Sequence, residues 1–305
     1  MAAHAHSHGA SELADHRGRL ATVLGITVVV LIVEVVGAVV SGSLALLADA
    51  GHMLTDVAGL TLGLVAAVLS RRPATEQRTW GYRRAEVLGA AAQAAVLLAV
   101  GIFILIEGVR RLFDPPEVVP GVMVVFGVVG LVGNIVGLLV LAGGRGDNLN
   151  MRAAFLEVVN DALGSVAVLV SAGVIALTGW LRADALASLV IGILIVPRTI
   201  RLLRESIDVL MESTPEGLDI GLVRDHMMAL PHVHDVHDLH ASQVATGLPV
   251  LTAHVVVDDS CFHDGHLGEM LDQLQRCISA DFNVEHSTIQ FESSGHADHE
   301  HAGHA

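Results

Sequence analysis

Between Leu20 and Leu203 the chain is built from long apolar blocks separated by short polar joints, not from short stretches with one apolar stripe. Six blocks fall at about residues 20–40, 44–69, 86–109, 118–142, 152–178 and 183–200, each near or above the roughly 20 residues that cross a bilayer as a helix. Residues 202–211 are amphipathic instead, and Pro215 breaks that run. Beyond it the pattern predicts a helix at 216–230, strands near 233–239 and 249–257, a helix at 265–280 and a strand near 284–291. That order makes a small α+β layer with its helices on one sheet face. The expected fold is an α-helical integral membrane bundle of six transmembrane helices followed by a C-terminal α+β domain. Its parts are a histidine-rich tail at 1–19, the membrane domain at 20–204, the α+β domain at 205–292 and a second histidine-rich tail at 293–305.

Composition agrees with a membrane protein. Hydrophobic residues make up 52% of the chain and 31 residues are glycine, which suits close helix packing in lipid. Lysine is absent, so arginine alone reports orientation. Arg17, Arg19, Arg71, Arg72, Arg78, Arg83, Arg84, Arg145, Arg152, Arg198, Arg201 and Arg204 fall on one side of the six blocks, against Arg110, Arg111 and Arg182 on the other. The excess places both termini and the α+β domain in the cytoplasm of an inner or plasma membrane. No cleaved signal peptide is expected, because the first residues lack a basic region and an apolar core. A net charge of −15 argues against nucleic acid and is compatible with a cationic ligand. Cys261 and Cys277 are too few and too far apart for a CxxC pair or a disulfide framework.

The second block carries Asp49, His52 and Asp56 among apolar residues. A charge near the bilayer centre costs roughly 2.5 to 3.5 kcal/mol on insertion scales, so three ionisable groups in two turns call for a compensating role. His52 and Asp56, four apart, share a helix face, and the fifth block repeats the spacing with Glu157 and Asp161. Two such faces meeting would supply one imidazole and three carboxylates, enough for a tetrahedral divalent cation. Asp49, two turns from Asp56, is placed to guide an ion or hold a proton. Glu34, Asn134 and Asp184 are further polar groups at or near membrane depth, with Asn134 read as a packing residue. No HExxH motif is present, and the acids are needed as ligands, so a metal-dependent enzyme is not expected.

The stretch from Ser43 to Asp56 (SLALLADAGHMLTD), the stretch from Trp80 to Gly89 (WGYRRAEVLG) and the ending from His286 to Gln290 (HSTIQ) resemble the cation diffusion facilitators in their zinc-transporting branch. The resemblance runs from about Leu20 to Glu292. It implies a six-span homodimer with a cytoplasmic ferredoxin-like domain, exporting Zn2+ in exchange for protons. By position, His52, Asp56 and Asp161 match the family's transport ligands. Glu157 departs from the pattern, since that place is usually histidine, and adds one negative charge if all three acids are ionised. A Co2+, Cd2+, Mn2+ or Fe2+ exporter of the same fold, or a membrane-anchored metal sensor or store, is the alternative.

Nine histidines lie between His226 and His286. The resemblance implies regulatory metal ligands at His237, His254, His266 and His286. Strand alternation from 232 to 240 sends His232, His234 and His240 to one face and His237 to the other. The terminal histidines His4, His6, His8 and His16, and His296, His299, His301 and His304, read as metal-gathering tails.

Overall fold

The computed structural model describes residues 7–70, 72–142 and 149–297. His4, His6, His299, His301 and His304, and the side chains of His8 and His16, lie outside the described residues. Six long helices come first: α1 (Ser7–Ser41), α2 (Leu44–Ser70), α3 (Ala85–Phe113), α4 (Pro120–Ala142), α5 (Leu149–Thr178) and α6 (Arg182–Leu210). Among the described residues, five spans are long and apolar enough to cross a membrane: Ala21–Ser41 within α1, then α3, α4, Phe155–Thr178 within α5, and α6. The remaining helix, α2, is the one that carries Asp49, His52 and Asp56.

Two of these helices extend beyond the apolar blocks read from the sequence. Helix α1 starts at Ser7, inside the stretch read as a tail. Helix α6 is continuous from the last span through the amphipathic run to Leu210. Nothing between residues 200 and 210 breaks a helix, and the chain leaves it only before Pro215.

The membrane helices expose apolar side chains and keep their polar groups inside. Val39, Ile106, Leu139, Leu177 and Leu194 are exposed, whereas Glu34, Asp49, Asn134, Asp161 and Ser165 are buried. This is the arrangement lipid requires, since a polar group facing hydrocarbon has no partner there. Helix α4 packs against both α1 and α5. Asn134 makes the expected interhelical bond, its Nδ2 donating to Ser165 Oγ at 3.2 Å. Ser165 Oγ donates in turn to Asp49 Oδ2 at 3.1 Å, with Glu34 Oε1 at 3.5 Å. Gly130 and Gly164 make room for these acids: a Cβ at either would collide with the carboxylate of Glu34 or of Asp49. Gly133 lies against Val30 and Gly137 against Val158, so both serve packing as expected.

Asp184, on α6, is a cap for a different helix. Its carboxylate accepts from Ser43 Oγ at 2.5 Å, Leu44 N at 2.7 Å and Ala45 N at 3.2 Å, closing the N-terminus of α2. The first amides of a helix lack intrahelical partners, and a carboxylate there also meets the positive end of the helix dipole. Arg111 completes the joint, donating to the carbonyl of Gly42 at 2.7 Å and to Glu107 at 3.0 Å and lying 3.8 Å from Asp184. Local bonding thus accounts for an arginine that runs against the charge bias. Asp184→Ala is expected to lower stability by about 1 to 3 kcal/mol, the cost of buried donors left unmet. A thermal melt of the detergent-purified protein checks this, with Asp184→Asn expected to fall between.

The C-terminal domain follows the expected order. Helix α7 (Ile220–Met228) precedes β1 (Val233–Ala245), β2 (Leu248–Val257), α8 (Leu267–Phe282), β3 (His286–Glu292) and the short α9 (Ser294–Ala297). Helix α7 starts four residues later than predicted because Asp219 caps it, accepting from Gly221 N and Leu222 N. Strand order is β1-β2-β3, antiparallel between β1 and β2 and parallel between β2 and β3. Val223 and Met227 of α7 and Met270, Leu274 and Ile278 of α8 pack with Val236, Leu251 and Val255 in one core. The β1–β2 register shifts between His237 and His240, where Asp238 has a φ of +48°. A bulge of this kind resets strand alternation, so faces counted straight through 232–240 do not hold beyond it.

Candidate metal site

Helix α2 holds His52 and Asp56 one turn apart, and α5 brings Asp161 to them. His52 Nε2 lies 3.7 Å from Asp56 Oδ2 and 3.7 Å from Asp161 Oδ1, and the three donor atoms fall within 4.8 Å of one another. Their side chains are 12%, 13% and 3% exposed. Asp56 Oδ2 and Asp161 Oδ1 are buried and make no hydrogen bond. An unmet buried polar atom costs roughly 1 to 3 kcal/mol, more when charged, so two aimed beside one imidazole nitrogen mark a place prepared for a cation.

Glu157 is not among the three donors that lie within 4.8 Å of one another, although its carboxyl contacts that of Asp56. It pairs with Arg198 of α6, Nη2 to Oε1 at 3.0 Å, while remaining near enough to act electrostatically on Asp56 and Asp161. No arginine lies in the second block, and the fifth has only Arg152 at its very start, but α6 supplies one at Glu157. Asp49 also lies outside the trio, in the bond with Ser165 already described.

A second cluster sits on the sheet of the C-terminal domain. His237 and His254 are direct cross-strand partners with ring centroids 5.4 Å apart. Glu292, at the end of β3 and 2% exposed, lies between them, 3.3 Å from His237 Nε2 and 2.8 Å from His254 Nδ1. These three again offer donors within 4.8 Å. The structure does not bring His266 or His286 to this cluster. His266 precedes α8 with its ring against His232, and His286 packs edge-on against Trp80 at 4.9 Å. Glu292 was missed because β3 pairs in parallel one strand over, with Val256 opposite Glu292, and no local spacing announces that register. The available signal was an acid six residues after His286, on the same face of a strand.

His232 and His234 turn instead to Asp258, at 2.8 and 2.6 Å. Hydrogen bonds with His234 and His232 hold the Asp258 carboxyl below the usual carboxylate range. A carboxyl lowered on folding contributes stability above its ordinary pKa of about 3.9 and loses it as pH falls through the lower folded value. Asp258→Asn is therefore expected to flatten the pH dependence of melting on the acid side of pH 4, measured by melting temperature against pH.

Both sites fall inside matched family domains. Residues 20–211 match the cation efflux transmembrane domain, and residues 215–294 match the cytoplasmic domain of cation efflux proteins. The chain belongs to the cation efflux family. This is a family of membrane transporters rather than enzymes, and its members include several curated relatives of similar length. The metal cation efflux system protein CzcD of Cupriavidus metallidurans is 40% identical over 93% of this chain and 90% of its own. The zinc transporter ZitB of Escherichia coli is 39% identical over 98% of this chain and 100% of its own. The cadmium, cobalt and zinc/H(+)-K(+) antiporter of Bacillus subtilis is 35% identical over 87% of this chain and 86% of its own. A solved metal-bound C-terminal domain of the CzcD transporter is 35% identical over 25% of this chain and 99% of its own, with a TM-score of 0.23.

Proposed function

We propose that this cation efflux protein carries a divalent transition-metal ion, zinc foremost, out of the cytoplasm in exchange for protons. The observation that carries the reading is the convergence of His52, Asp56 and Asp161, two of whose carboxylate oxygens are buried without a hydrogen-bond partner. Neutral His52 with ionised Asp56 and Asp161 balances a divalent charge. A nitrogen and oxygen donor set suits zinc, cobalt and cadmium. Glu157 is the fourth ligand in this proposal, and Asp49 a station for protons on the route. Deprotonated ligands hold the metal and returning protons release it, as the helices open the site to one side and then to the other.

The arginine bias supports an inner or plasma membrane with both termini inside, and the cytoplasmic-domain match supports a homodimer. A zinc ion at His237, His254 and Glu292 would neutralise acidic charge in the C-terminal domain and favour one arrangement of the dimer over another. A membrane-anchored sensor or store needs no ligands inside its anchor, so the buried trio favours transport.

The test is flux of zinc, cobalt, cadmium, manganese and iron into proteoliposomes across a pH gradient, for the native protein and Glu157→His. The expected result is proton-dependent zinc flux in both, with manganese and iron weakened further by the histidine, a softer ligand. Flux that ignores the pH gradient would overturn antiport, and an unchanged metal preference would remove Glu157 from the ligand set.

A further inference from the structure

We propose that Glu34 and Asp49 hold one exchangeable proton between them and form a proton-carrying site of the antiport, apart from the metal ligands. The proposal rests on the antiport reading with the trio as the metal site, and it gives Asp49 its partner. Glu34 of α1 and Asp49 of α2 are 0% and 1% exposed, and their carboxyls lie within hydrogen-bonding reach of each other. Two carboxylates have no hydrogen to share, so a bond between them needs a proton on one. Arg111 pairs with Glu107 and Asp184, Arg198 with Glu157, and His52 with Asp56 and Asp161, which leaves no cation for this pair among the described residues. The surrounding partners are neutral: Ser165 Oγ lies 3.5 Å from Glu34 Oε1 and 3.1 Å from Asp49 Oδ2, and Asn134 donates to Ser165. Glu34 Oε2 is buried with no hydrogen-bond partner. Gly130 and Gly164 leave the room that both carboxyls occupy, so the cradle is built into α4 and α5.

Helix α5 links the pair to the metal site. Ser165, which touches both acids, lies one turn after Asp161 on the same helix face, and both acids are near enough to act electrostatically on Asp161. Helix α4 has no titratable side chain, and α2 adds only His52 and Asp56 on the following turns. A divalent ion at the trio brings positive charge to Asp161 and favours loss of the shared proton to solvent. A proton returning to the pair removes a negative charge that helped hold the metal, so the two sites oppose each other's occupancy. This adds to direct competition at the ligands a second way for each ion to expel the other.

The test counts protons released per zinc bound, by calorimetry in buffers of different ionisation heat. It uses the full-length protein in detergent, in a His237→Ala/Glu292→Gln background so that the C-terminal cluster does not contribute. Glu34→Gln keeps the shape and removes the exchangeable proton, and it should release about one proton fewer than the background protein. Its zinc affinity should accordingly change ~10-fold less per pH unit, the linkage of a single proton. Asp49→Asn removes the other half and should show the same deficit. Acids that serve only to join helices would leave the count unchanged in both variants, and that result overturns the proposal. A readout on the native chain covers failure of the variants to fold. A hydrophobic carbodiimide labels protonated carboxyls, so zinc should slow the labelling of Glu34 and Asp49, followed by peptide mass spectrometry. An equal or faster rate with zinc overturns the shared proton. Asp161→Ala in the same background separates the two readings. Zinc still bound there sinks the trio as the metal site, whereas zinc lost there with an unchanged proton count in Glu34→Gln sinks only the pair.

Discussion

Asp161→Ala is expected to reduce zinc flux in proteoliposomes to the level of empty vesicles. The substitution removes one of three convergent donors and one of the two charges that balance the ion. Loss of an outer partner to a metal ligand typically costs 10–100-fold in affinity, so loss of a ligand should cost about 100-fold or more. Asp161 is also the most buried of the three at 3% exposure, leaving little room for water to replace it. Asp56→Ala should behave alike. Asp56→Asn keeps the shape and removes the charge, so a loss as large as with alanine would show that charge, and not packing, carries the effect. Flux untouched in both alanine variants would take the trio out of the transport path. Because protons and metal compete for the same deprotonated donors, native zinc binding should weaken as pH falls.

Glu292→Gln is expected to remove zinc binding from the C-terminal domain while leaving the membrane site occupied, so that the full chain binds one zinc fewer. Glu292 is buried and touches both His237 and His254, and an amide in its place cannot supply the charge that a divalent ion requires. The domain's gain in stability with zinc should vanish too. A ligand at 100 times its Kd stabilises by about 2.7 kcal/mol, a shift that melting with and without zinc resolves. His266→Ala and His286→Ala should retain the zinc-dependent shift, since neither ring reaches the cluster. If His266→Ala removed the shift as fully as Glu292→Gln, the cluster would be wrongly drawn.

Much of this was legible along the chain because it is local. Block length announces a membrane helix, and an i, i+4 spacing places His52 with Asp56 and Glu157 with Asp161 whatever the neighbours are. The α+β order of the C-terminal domain follows from a change of hydrophobic period, with Pro215 as a boundary mark. Read across helices, the same spacing gave a four-ligand site with one charge too many. In the structure Glu157 pairs with Arg198, a cation on another helix that balances the extra charge.

Residue chemistry, helix faces and the membrane class were thus contained in the order of the amino acids, each readable within a single apolar block or a few residues of strand. Pairing between distant elements was settled only by packing. Arg198 meets Glu157 41 residues away, Asp184 caps a helix 140 residues away, and Glu292 joins His254 because β3 lies parallel to β2. Such contacts depend on how helices and strands align with one another. That alignment follows from the fit of whole buried faces, including the glycines that admit Glu34 and Asp49, and from a bulge at Asp238 that resets a strand. No short window of sequence contains it.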